Sequence, residues 1–250
     1  MFLTRKTKMQ TTQFLTTIIL MSLATALVGC SNEEILMPEI VGSVRYPTHE
    51  TTFPKRAESG PEQLGQNLRG RIIVVDAGHG GRDPGCGEVG YSRLPEKTLV
   101  LAIAKDIETQ LKACGARIIM TRTADYFVPL DDRAEIADKY KADLLLSIHI
   151  DSCPKGYVSG PTVYIANKAR YQSRKVANSI HSSFVIAGIG SKGIRHADFR
   201  VLAKHSQPAV LVECGYLTNS KDAQKLNNRW YQKKIAKLIS DGVILALGEI

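Results

Sequence analysis

The sequence is poor in several features that would each fix a class of protein. It has five cysteines in 250 residues, too few for a chain stapled by disulfides. Its apolar stretch from Phe14 to Val28 is broken by Thr16, Thr17, Ser22 and Thr25 and falls short of the roughly 20 residues a transmembrane helix needs. There is no internal repeat, and no local zinc motif pairing two histidines on one helix. What is left is ordinary globular composition, 44% hydrophobic and 23% charged, which excludes a disordered, collagenous or coiled-coil protein. Lysine and arginine number 33 against 24 acidic residues, a formal net charge of +9. Such an excess points to an anionic partner: nucleic acid, a membrane surface or an acidic polymer.

The first residues account for part of that charge. Arg5, Lys6 and Lys8 precede the apolar run, which ends in Leu27-Val28-Gly29-Cys30. A basic start and a short apolar run read as an export signal. Small residues before a cysteine resemble the bacterial lipobox, where the signal is cut before the Cys and the Cys is acylated. Residues 1–29 are therefore expected to be a lipoprotein signal peptide, and Cys30 the lipidated residue anchoring the chain to a membrane. Removing 1–29 takes away three basic residues and no acidic one, leaving +6. With export, nucleic acid drops out of the expected partners. Ser31 after the cysteine implies outer-membrane sorting of a periplasmic, lipid-anchored protein. Residues 30–70 carry Pro38, Pro47, Pro54 and Pro61 and read as a flexible tether, with room for one short helix at 61–69.

From Arg71 the pattern changes. Arg71–Val75 (RIIVV) is a continuous apolar run, the mark of a strand buried on both faces. Pro95-Glu96 opens a helix through about Ala113, with Leu99, Ile103, Ile107 and Leu111 at four-residue spacing and Gly115 closing it. Strands are expected at 117–121, 144–149, 162–166 and 209–213, and helices at 131–140, 169–187 and 228–248. Strands alternating with helices predict an α/β domain over 71–250: a mainly parallel sheet with helices on both faces.

In open α/β sheets, sites lie beyond the carboxyl ends of the strands. There the sequence places Asp76-Ala77-Gly78-His79-Gly80-Gly81, Ser147-Ile148-His149 and Val212-Glu213, with Glu96 opening the first helix on the same rim. Glu213 ends the apolar run Ala209–Val212, so it needs a cation or a proton. Two histidines, a carboxylate and an open position form a common catalytic zinc site, and a further carboxylate can move protons. His79, Glu96 and His149 are thus assigned to Zn2+ and Glu213 to general acid–base catalysis.

At these residues the chain resembles the zinc-dependent N-acetylmuramoyl-L-alanine amidases of bacterial cell walls, in particular the Gram-negative cell-division enzymes. The matching blocks are Val75–Gly81, Asp83-Pro84-Gly85, Glu96, Thr121-Arg122, Leu130–Arg133, Ala142-Asp143, Ser147–Asp151 and Pro208–Asn219. The resemblance implies the same three metal ligands, His79, Glu96 and His149, and the same catalytic Glu213. It implies hydrolysis of the amide between N-acetylmuramic acid and L-alanine in peptidoglycan, for wall remodelling or septum splitting, with division-machinery partners unidentified. Departures from the family pattern are Asp138, where many relatives carry Asn, and Cys214 and Tyr216 beside the catalytic Glu. Strand alternation turns Cys214 to the face opposite Glu213, into the core. Only 64 positions separate His149 from Glu213, less than regulated division amidases use for an inhibitory helix, so the site is expected to be open at rest.

Other polar residues are left with two readings each. Asp151 either orients His149 or touches substrate; Arg122 and Arg133 either hold loops or reach substrate. Ser152-Cys153-Pro154-Lys155 fits the S-x-x-K nucleophile motif of penicillin-binding proteins, giving an alternative serine-dependent D-Ala carboxypeptidase activity through Ser152 and Lys155, although no S-D-N or K-T-G companion occurs. Cys86 and Cys153 lie on rim loops where they could meet as a disulfide. The remaining rivals are a non-catalytic wall-binding lipoprotein and another metallohydrolase, a peptidase or deacetylase, acting on the same polymer.

Overall fold

The computed structural model describes residues 68–86 and 91–248. The expected signal peptide, the expected lipidation residue Cys30 and nearly all of the expected tether lie outside the described residues. Leu68 is fully buried in the main core, and its N–H bonds the Cys114 carbonyl at 2.9 Å. The packed unit therefore includes Leu68, three residues before the start expected at 71.

Six strands form one sheet: β1 (Ile72–Ala77), β2 (Arg117–Met120), β3 (Leu144–Asp151), β4 (Thr162–Ile165), β5 (Ile194–His196) and β6 (Ala209–Tyr216), in the order β2-β1-β3-β6-β4-β5. Strands β2, β1, β3 and β6 are parallel; β4 runs antiparallel to β6, and β5 pairs parallel with β4. The sheet is mainly parallel, as the alternation of strand and helix predicts. The helices are α1 (Glu96–Ala113), α2 (Leu130–Lys139), α3 (Tyr171–Ile186), α4 (Arg200–Ala203), α5 (Ser220–Leu226) and α6 (Arg229–Leu247). Among the described residues, no helix is long and apolar enough to cross a membrane.

Strand alternation divides the interior into two cores. Ile73, Val75, Leu144, Leu146, Ile148, Val210 and Val212 point to one face and pack against α1, α3 and α6; Cys214 joins them, as its parity requires. Val74, Leu145 and Leu211 point to the other face, against Ala137 of α2 and Val201 and Leu202 of α4. Burial of both faces is why the central strands read as unbroken apolar runs. Helix α1 buries Leu99, Val100, Ile103, Ala104, Ile107 and Leu111, and Gly115, at φ +90°, turns the chain out of it. Helix α6 is capped by Asn228, whose side chain accepts the Trp230 N–H at 2.8 Å.

Three elements were not anticipated. Strand β5 is three partly exposed residues with Arg195 and His196 in it, so it carries no apolar run. Helix α4 is a single turn. Helix α5 is announced by Asn219, which caps the N–H groups of Lys221 and Asp222, but its seven residues are too few to show helical spacing.

The register matters most for function. Strands β3 and β6 pair with His149 directly opposite Glu213, and a register shift follows before Asp151 meets Tyr216. Neighbouring strands lie about 4.8 Å apart, so the sheet itself sets those two side chains side by side.

Candidate active site

The loop after β1 is built for His79. His79 adopts φ +60°, a left-handed conformation uncommon for a residue with a side chain. Such strain persists where the surroundings over-determine it. Two buried arginines supply that constraint. Arg133 donates to the carbonyls of Ala77 (2.7 Å) and His79 (2.6 Å) and to Asp76 Oδ1 (2.7 Å). Arg122 donates to the carbonyls of Ala77 (2.9 Å), Gly78 (2.8 Å) and Lys97 (2.7 Å), tying the loop to the start of α1. Asp76, wholly buried, accepts from Thr121 and Ser147 as well, each at 2.7 Å. Burial alone would raise the Asp76 pKa, but the Arg133 charge leads the effects that bring it below the usual carboxylate value. Both arginines therefore hold the loop, and neither lines the catalytic cavity.

Glycine makes the approach of the ligands feasible. A Cβ on Gly78 would lie 2.3–2.7 Å from atoms of the His149 ring. A Cβ on Gly85 would lie 2.5 Å from Glu96 Oε2, and Gly85 also sits at φ +71°. The glycines of the first rim block are thus spaces for the side chains that converge there.

Three of those side chains form a triangle. His79 Nε2 lies 3.0 Å from Glu96 Oε1. His149 Nδ1 lies 3.1 Å from the same oxygen and 3.1 Å from His79 Nε2. Glu96 also accepts the N–H of Ile150 through Oε1 (2.9 Å) and of Cys86 through Oε2 (2.8 Å). His79 Nδ1 lies 2.8 Å from Asp83 Oδ2. That pairing fixes the tautomer and leaves the Nε2 lone pair facing the triangle, the usual outer-sphere arrangement of a metal-binding histidine. Tetrahedral zinc, with bonds of about 2.0–2.1 Å, holds its donor atoms about 3.3 Å apart, close to the spacing seen. The donor set therefore fits a divalent metal, which would take the place of the protons that join these rings to Glu96 when no ion is bound. Burial opposes ionisation of Glu96, yet hydrogen bonds to His149 and His79 bring its pKa well below normal. Burial likewise opposes charging of His79, which Glu96 and Asp83 outweigh, raising its pKa.

Glu213 belongs to the same cavity, of about 740 Å³, but not to the triangle. Its Oε2 is buried without a hydrogen-bond partner. Burial, then the negative charges of Glu96 and Asp151, push its pKa well above the ordinary value.

Asp151 lines this cavity and accepts the Ser152 N–H at 2.7 Å. No hydrogen bond joins it to His149 among the described residues, so orientation of that ring falls to Gly78 and Glu96. Ser152 and Lys155 are exposed on an irregular loop rather than on a helix. The helical turn that would bring the lysine to the serine is missing, and the serine-dependent alternative is not favoured. Cys86 and Cys153 both line the cavity as free thiols, while Cys114 and Cys214 are free elsewhere. Missed by the sequence reading were Asp76, Asp83, Phe199 and Thr218. Asp83, four residues after His79, was the one with a local signal. Phe199 and Thr218 reach the cavity from loops beside α4 and α5.

Comparison with known proteins agrees with this geometry. Residues 73–244 match the family described as N-acetylmuramoyl-L-alanine amidase. The chain is 30% identical over 236 residues to N-acetylmuramoyl-L-alanine amidase AmiA of Escherichia coli K12, covering 76% of this chain and 78% of AmiA. It is similar to the catalytic domain of CwlV, an N-acetylmuramoyl-L-alanine amidase of Bacillus (Paenibacillus) polymyxa, with TM-score 0.64 and 36% identity over 69% of this chain and 96% of that domain. It is also similar to amidase AmiC2 of Nostoc punctiforme, with TM-score 0.64 and 37% identity over 70% of this chain and 96% of AmiC2.

Proposed function

The chain belongs to the N-acetylmuramoyl-L-alanine amidase family, and on that premise we propose that it works as a zinc enzyme in which Glu213 moves the protons. Its reaction is hydrolysis of the amide between N-acetylmuramic acid and L-alanine in peptidoglycan. The observation carrying the proposal is one cavity that joins a three-donor triangle to a carboxyl with one buried, unpartnered oxygen. His79, Glu96 and His149 would hold the ion. Zinc there supplies a Lewis acid for the scissile carbonyl and acidifies water to near neutrality.

The residues of the chain do the rest. Glu213 takes a proton from the attacking water and delivers it to the departing amine of L-alanine. The proton taken from the water goes on to the amine, so Glu213 ends the cycle in the state in which it began. Asp83 keeps the His79 ring in one tautomer. Arg122 and Arg133 keep the His79 backbone where the ring can reach Glu96. Among the described residues, Phe199 alone enters the cavity from the interval between β4 and β6. Among the described residues between His149 and Glu213, the one acidic side chain in the cavity is Asp151, at the end of β3, and none comes from the stretch between β4 and β6, which supports a site open at rest.

The cellular setting rests on the sequence. The basic start, apolar run and lipobox-like Leu27–Cys30 support export and acylation at Cys30, with a periplasmic enzyme anchored to the outer membrane. Incubation of the protein with purified peptidoglycan fragments, with products identified by mass spectrometry, tests the reaction. Release of stem peptide beginning at L-Ala, abolished by chelator and restored by zinc, is expected; intact muramyl–peptide bonds in zinc-loaded samples would contradict it.

A further inference from the structure

The rim holds a second cavity, of about 700 Å³, whose walls include Tyr91, Arg93, Leu94, Lys221 and Asn227. Its walls share no residue with those of the catalytic cavity, but the two are neighbours along the chain. Thr218 lines the catalytic side; the carbonyl of its neighbour Leu217 accepts the Tyr91 N–H at 3.3 Å. Lys221 follows Thr218 by three residues, at most about 11 Å of chain. The 91–94 segment is fixed in place: Ser92 Oγ donates to the Leu94 carbonyl at 2.7 Å and accepts from Asn227 Nδ2 at 3.2 Å.

The two cavities differ in charge. The catalytic one contains Glu96, Asp151 and Glu213. The second has two cations, Arg93 and Lys221, and no acid among the described residues that line it. Neither cation has an ion-pair partner among the described residues. Beside them Tyr91 and Leu94 are 65% and 41% exposed, so the cavity offers apolar surface next to positive charge. On the substrate, the N-acetylated sugars are uncharged, while the stem peptide carries free carboxylates. Its third residue is two residues beyond the L-alanine at the cleaved bond, roughly 10 Å of extended chain because the intervening glutamate is linked through its γ-carboxyl, plus its side chain.

We infer that this second cavity is the stem-peptide subsite, with Arg93 and Lys221 binding a peptide carboxylate and Tyr91 and Leu94 covering its apolar atoms. The inference rests on the amidase reading for its ligand. It gives the groove a direction, peptide toward α5 and glycan away from it.

The test compares a muramyl-tripeptide with the same compound amidated at its peptide carboxylates, using wild type and the double variant Arg93→Glu/Lys221→Glu. Both residues are exposed, so the variant should melt as wild type does. The variant should raise KM for the free-carboxylate substrate on the order of tenfold, equivalent to about 1.4 kcal/mol, with kcat retained and the amidated substrate little affected. Equal changes for both substrates, or none, would overturn the subsite. Calorimetric binding of the free tripeptide to Glu213→Gln protein, with and without the two reversals, gives a readout independent of turnover. Binding abolished by the reversals supports the subsite even if the muramyl amide is never cut, which would count against the amidase reading alone; absent or unchanged binding refutes the subsite.

Discussion

Two carboxylates at the carboxyl end of the sheet, Asp76 and Glu213, show opposite designs. Both sit on central strands; Asp76 is wholly buried, while Glu213 is half-buried and lines the cavity with one oxygen, Oε2, inaccessible. Asp76 accepts three short hydrogen bonds, one of them from Arg133, and is held ionised. Glu213 has an oxygen with no partner and is pushed toward its neutral form. A satisfied buried charge fixes geometry, because every departure from it strands a partner. An unsatisfied one stores the capacity to change protonation state, which is what a general acid–base needs. One end of one sheet therefore carries both a satisfied, fixed charge and the carboxyl proposed to titrate.

Breaking the satisfied network should have the largest effect on folding. Asp76→Asn leaves the Arg133 guanidinium without its counter-charge in the interior, a loss of about 3–5 kcal/mol, read by urea or thermal denaturation. Next comes the link from that network to the metal. Asp83→Asn loosens the His79 ring without removing a donor and should weaken zinc binding about 10–100-fold, measured by competition with a chromogenic chelator. The effect on stability should be small, since Asp83 is partly exposed.

The contrasting carboxylate should respond with the opposite sign. The Glu213 pKa in the folded, metal-free protein lies above its unfolded value. As pH rises the unfolded chain loses that proton first, so this group's contribution is fully present below its unfolded pKa and is lost toward and through its folded pKa. Chelated Glu213→Gln should therefore be more stable than chelated wild type near neutrality, on the order of 1 kcal/mol, with the gap closing in acid. Melting temperatures across pH check this; a wild type equally stable at every pH would remove the contrast. The smallest effect is expected at Ser152. Ser152→Ala should leave amide hydrolysis unchanged, and the wild type should not be labelled by a fluorescent penicillin.

What was legible in the sequence follows the same physics. Strands β1, β3 and β6 show as apolar runs because both their faces are buried, and α1 shows through its four-residue spacing. The four candidate site residues stood out in the sequence because each lies where such an element ends or, for Glu96, begins at the rim. Strand β5 and helix α4 did not, being too short to carry a period. The roles of Arg122 and Arg133 were undecidable for another reason. Their partners are backbone carbonyls and Asp76, some 45 to 57 positions away, and a guanidinium binding carbonyls leaves no pattern in sequence. Asp76 itself is visible only as part of a block, since its burial depends on Thr121 and Ser147 arriving from other strands. Phe199 enters the cavity at the edge of an element that has no sequence signature.

The most direct test of the central claim measures zinc content and turnover together in Glu213→Gln. If Glu213 works on protons and not on the metal, the variant should retain one zinc per chain while amide hydrolysis falls about 10²–10⁴-fold. A variant that loses its zinc, or one that keeps both zinc and near-normal turnover, would contradict the division of labour between the triangle and the unpartnered carboxyl.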